Sequence, residues 1–126
     1  MAESGKRKQG EAALKASIKG LRTSRKKLES AVAAKKIQSK SYKSEMREKG
    51  RVSRKLVVSR KRKALYDAGK VVVSAPTIGE INAVKKLIKD VEKVAVAGAA
   101  WKAGFGLVKT LTTDASKLGQ DVKIKK

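Results

Sequence analysis

Ten cations in the first half of the chain fall on one helical register. Counting from position 15 in alternating steps of four and three, Lys15, Lys19, Arg22, Lys26, Lys36, Lys40, Lys43, Arg47, Arg54 and Lys61 fill ten of the fourteen positions up to 61. Lys and Arg make up 19 of the 56 residues from 11 to 66, about a third, so this register is enriched. Side chains so spaced lie along one edge of a helix. A row of fixed cations does one kind of chemistry well: it neutralises a row of anions and releases their counterions. Arg62 and Lys63 extend the row in the run RKRK, Arg60 to Lys63. Those four residues take up about a full helical turn and cannot share one face, so the run reads as the dense end of an extended basic surface.

Other reaction chemistry is scarce. The sequence has no cysteine and no histidine, which excludes thiolate catalysis, Ser-His-Asp and Cys-His arrangements and the usual zinc sites. The carboxylates are scattered, and no metal site or cofactor is expected. Ser-Lys neighbours such as Ser39 and Lys40 sit in basic sequence without a glycine-rich oxyanion turn. The segments GKRKQG, AGK and AGFG form neither a phosphate-binding loop nor a dinucleotide fingerprint. A non-enzymatic protein is expected.

The charge identifies the class of partner. Thirty-three Lys and Arg stand against 11 Asp and Glu, a formal charge of +22, and a compact chain with that imbalance repels itself unless anions neutralise it. The aromatics are Trp101, Tyr42, Tyr66 and Phe105, too few for base-stacking platforms. The expectation is a structural protein that binds the phosphate backbone of DNA or RNA without sequence specificity, in packaging, compaction or assembly. The alternatives are a cationic membrane-associated protein and a virion or ribosome-associated component. The charged N-terminus carries no apolar signal region, so an intracellular or virion-associated location is favoured.

These residues need helices to hold them. A seam one position before the cationic row contains Leu14, Ile18, Leu21, Leu28, Val32, Tyr42, Met46 and Leu56, dense up to Val32 and thin afterwards. Residues 1–70 hold 23 basic and 6 acidic groups, net +17, whereas 71–126 hold 10 and 5, net +5. The expected organisation is a disordered basic tail at 1–8, a basic helical region at 9–68, an extended joint at 69–76 around Pro76, a helical region at 77–118 and a frayed basic tail at 119–126. Gly50 is the expected break in the first region, with a further one around Ser39 to Ser44.

The second helical region opens on Thr77 and Glu80, a T-x-x-E capping box. Val84, Leu87, Val91, Val94, Gly98, Trp101, Phe105 and Val108 then step by three and four along one face, read here as a self-association or membrane-contact surface. From Val94 to Val108 the polar face disappears except for Lys102. Gly104 and Gly106 are expected to end or loosen this helix, and Gly119 to cap a further turn at Asp114 to Leu118. The fold class is therefore all-α: long basic helices packed against an amphipathic C-terminal helix as a hairpin or small bundle, completed by self-association or by a partner.

Overall fold

A computed structural model describes residues 2–33, 40–96 and 98–125. Among them are four helices, α1 (Ala2–Ala33), α2 (Lys40–Asp67), α3 (Ile78–Glu92) and α4 (Gly98–Gln120), and two short strands, β1 (Val72–Ser74) and β2 (Lys123–Ile124). The protein is an all-α small bundle.

Its architecture is set by which helices touch. α1 packs against α2, α3 and α4, and α4 packs against all three others, whereas α2 and α3 make at most a marginal contact among the described residues. The bundle is thus a rhombus whose short diagonal is the α1–α4 contact. Small side chains permit that contact. A Cβ built on Gly20 would lie 2.9 Å from the Ala115 Cβ, and one on Gly119 would lie 2.6 Å from the Ser17 hydroxyl. Ala13, Ala16, Ser17 and Ser24 on α1 and Val108, Leu111, Thr112 and Ala115 on α4 are all buried.

Successive contacts give the directions. Arg7 reaches Tyr66 and Ser17 meets Ser59, so α1 and α2 are antiparallel. Ser24 donates to the carbonyl of Val108 while Gly119 lies over Ser17, so α1 and α4 are antiparallel as well. Two helical hairpins, α1–α2 and α3–α4, pack together, and the chain passes between them near the N-terminal end of α1. β1 lies on that path and pairs antiparallel with β2, Val72 opposite Ile124 and Ser74 opposite Lys123. Val72 packs against Gly10 and closes the end of the core.

Several boundaries differ from the sequence reading, each for a local reason. α1 already starts at Ala2, and Arg7 within the expected tail is anchored on α2. Gly50 does not break α2, because the helix there is held by Arg51 chelating Glu48 and by buried Val52. Of the further break expected around Ser39 to Ser44, Lys40 to Ser44 lie in α2 and Ser39 lies outside the described residues. α2 ends at a Schellman turn: Lys70 N–H donates to Leu65 O and Gly69 N–H to Tyr66 O, and Gly69 takes the left-handed φ of 84° that the motif requires. At Thr77 the capping box forms in both directions.

The apolar stretch after Lys93 is a corner and not a continuous helix. α3 stops at Glu92, Val94 folds back onto Gly104, and α4 begins at Gly98. Gly104 and Gly106 lie inside α4, Gly104 because a side chain there would collide with Val94. Gly119 is likewise a contact residue within α4 and not its cap. The expected C-terminal tail is tied down by β2 and by Lys125 N–H donating to Val71 O at 2.8 Å.

Candidate nucleic-acid interface

The cations divide by what their side chains reach. One group clamps the bundle. Arg7 donates to the carbonyls of Tyr66 at 2.9 Å and Lys70 at 3.0 Å, with its guanidinium 4.0 Å from the centre of the Tyr66 ring. Lys27 donates to the carbonyls of Glu92 and Val94, both at 2.9 Å. These two place positive charge at the C-terminal ends of α2 and α3, the favourable end of each helix dipole. Arg51 holds Glu48 with two 3.0 Å bonds and reaches Lys109 O and Thr113 Oγ1 on α4. Arg62 donates to Val122 O at 3.1 Å and so fastens the chain between α4 and β2 to α2.

The second group points outward. Lys15, Lys19, Arg22 and Lys26 are all exposed along α1, on the side of the helix opposite the buried Ser17, Gly20, Leu21, Ser24 and Leu28. Lys43, Arg47, Arg54 and Lys61 are exposed along α2 in the same way. Of these eight only Lys15 has an ion pair, 2.7 Å from Glu11; the other seven make no hydrogen bond or ion pair among the described residues. Lys36 and the side chain of Lys40 lie outside the described residues. Lys63 is half-buried, paired to Asp67 at 2.6 Å and 5.6 Å from the Tyr66 ring centre.

Glu11 ties part of this surface together. Tyr66 Oη donates to it at 2.5 Å and Lys15 at 2.7 Å. The Lys15 hydrogen bond, followed by that from Tyr66, holds the Glu11 carboxyl down at about 2. The same contacts push the Lys15 ammonium and the Tyr66 phenol up, in each case chiefly through the bond to Glu11.

The outward cations line three grooves among the described residues, one of them along α1 itself, where Lys19, Arg22 and Lys26 lie with Lys63 of α2. Lys8, Lys15 and Lys19 of α1 face Lys85 and Lys89 of α3 across the second. Arg47 and Arg54 of α2 share the third with Phe105 and Lys109 of α4. Sequence reasoning missed Lys85, Lys89 and Lys109 because they sit in the less basic half, where only the fold brings them beside the row. It also merged Arg62 with the outward group, since no local signal marks a cation whose partner is a carbonyl sixty residues away.

Seven of the eight apolar positions read as a contact surface lie in or against the core. Val84, Val91, Trp101 and Val108 are buried, and Leu87, Val94 and Phe105 pack against the same core. The Trp101 indole N–H donates to Glu45 on α2, and its ring lies 5.7 Å from Phe105. Gly98 opens α4. No helix among the described residues is long and apolar enough to cross a membrane, and no three acidic side chains there lie close enough together to hold a metal ion.

Fold and surface together define a basic four-helix bundle with a short α1–α4 diagonal and a cation-lined groove on each of two edges. Comparison with protein-family models, with curated proteins and with solved structures found no match.

Proposed function

We propose that the chain is a non-enzymatic structural protein that binds nucleic acid without sequence specificity, neutralising phosphates with its outward basic helices during packaging, compaction or assembly. One observation carries the reading: Lys19, Arg22, Lys26, Lys43, Arg47, Arg54 and Lys61 are exposed and unpaired within the described residues. A merely solvated helix face gains by interleaving acids one turn away, worth a few tenths of a kcal/mol per pair. Here the charged residues one turn from Lys19, Arg22 and Lys26 are Lys15, Arg25 and one another, against the single acid Glu29, which is paired with Arg25, and that repulsion is relieved by an external polyanion.

Phosphate neutralisation reads no base edges, which fits rows that are mostly lysine and lack Asn or Gln aimed outward. Mobility-shift titrations with duplex DNA and duplex RNA of unrelated sequences test the proposal, with flotation on anionic liposomes as the competing arm. Comparable shifts for unrelated sequences and no retention on liposomes are expected. Liposome binding without a nucleic-acid shift would contradict the proposal and favour membrane association.

A further inference from the structure

Two of the cation-lined grooves lie on opposite edges of the rhombus. α1 and α3 form one edge, and α2 and α4 form the edge facing away from it. We infer that one molecule holds two duplex segments at once, one against Lys19, Lys85 and Lys89 and the other against Arg47, Arg54 and Lys109, and thereby bridges them. The inference rests on the reading that the partner is nucleic acid.

All six side chains are exposed, and none makes a hydrogen bond or ion pair among the described residues; Lys109 only approaches the Phe105 ring, at 5.4 Å. Lys15 and Arg51, which line the same grooves, are already engaged by Glu11 and Glu48 and are left out of the binding sets. With neighbouring helix axes about 8–10 Å apart and side chains beyond them, the bundle is roughly 20 Å thick between these edges. Duplex DNA has a persistence length of about 50 nm, so one segment cannot turn round so thin a body to reach both grooves.

The edge between α3 and α4 interrupts the positive charge on one side, because Glu80, Asp114 and Asp121 gather there around Lys117. On the other side Arg22, Lys26 and Lys63 carry positive charge between α1 and α2, and there it is the stiffness of the duplex that leaves the second groove open to a second duplex. Three cations per groove make few phosphate contacts, so each hold is weak and strongly salt-dependent.

The test uses the full chain, a biotinylated duplex on beads and a second, fluorescent duplex free in solution. Wild-type protein is expected to bring down the fluorescent duplex, with capture rising and then falling as excess protein saturates both duplexes separately. The triple variants K19E/K85E/K89E and R47E/R54E/K109E are each expected to shift a single duplex still, while losing co-capture by about tenfold or more. Circular dichroism establishes that each variant is folded, and the corresponding glutamine triples replace any that is not. Wild-type protein that shifts a duplex without co-capture overturns the bridge. So does a single-edge variant that bridges as well as wild type, which is the behaviour of a dimer using one groove per copy. No shift of any duplex overturns the underlying nucleic-acid reading, and the bridge with it.

Discussion

The hydroxyls of Ser17 on α1 and Ser59 on α2 are hydrogen-bonded at 2.8 Å in a buried position, directly beneath Gly119 of α4. Three helices meet at this point because none of them has a side chain larger than a hydroxymethyl group there. A Cβ on Gly119 would stand 2.5 Å from the Ser59 oxygen and 2.6 Å from that of Ser17. Gly119→Ala is therefore expected to destabilise the fold by about 1–3 kcal/mol through overpacking. Gly106→Ala, in the same helix with open space around it, is expected to stabilise by up to about 1 kcal/mol. Urea denaturation of the two variants compares them directly, and equal effects would contradict the close approach of the three helices.

Arg60 and Arg62 stand two residues apart in one basic run and have different work. Arg60 is exposed, whereas Arg62 is half-buried and donates to Val122 O. Arg62→Ala leaves that carbonyl without its partner and is expected to cost about 1–3 kcal/mol. Arg60→Ala is expected to change stability by less than about 0.5 kcal/mol. Denaturant midpoints that move together would show the run to be a uniform surface.

The Glu11 carboxyl provides a pH signature. Its ordinary value of 4.5 is lowered to about 2 by hydrogen bonds from Lys15 and Tyr66. A carboxyl lowered on folding stabilises the folded state above its ordinary value and loses that contribution as pH falls through the lowered one. Wild-type stability is thus expected to decline between pH 4.5 and about 2 more steeply than that of Glu11→Gln. Carboxyl NMR should place the Glu11 midpoint near 2 in wild type and higher in Tyr66→Phe. A wild-type midpoint near the ordinary value would contradict the geometry.

Trp101 is a probe of the core, being 4% exposed with its N–H on Glu45. Its emission is expected to be blue in the free protein and to move little when a duplex is added. A large shift on duplex binding would mean that the bundle opens.

Much of the helical content was legible in the chain, since Leu14, Leu21, Leu28 and Leu56 of the seam are fully buried and Thr77 with Glu80 caps α3. α2 was harder to read because polar residues line its buried face. Glu45, Glu48 and Ser59 are buried there with Val52 and Leu56, whereas Met46, on the expected seam, is 39% exposed. Hydrophobic counting cannot see a seam built on Arg51–Glu48, Trp101–Glu45 and Ser17–Ser59 bonds, whose partners lie on other helices or one turn away. The apolar tract from Val94 misled in the opposite sense, because Val94 and Val96 pack against the core from a corner between two helices. Periodicity found the outward edge of the basic rows. Which cations are clamps was decided by tertiary contacts that leave no trace in local sequence.

Phosphate neutralisation by the outward cations is tested most directly by the affinity for a fluorescent duplex, measured by anisotropy across a salt series. The expected result is a steep negative log-log slope of about −0.9 per phosphate contacted, reduced in magnitude by up to about 0.9 for each of Lys19, Arg47 and Arg54 changed to Gln. Arg62→Gln should leave the slope unchanged. A slope near zero, or one that the three outward substitutions do not alter, would contradict phosphate neutralisation by these rows.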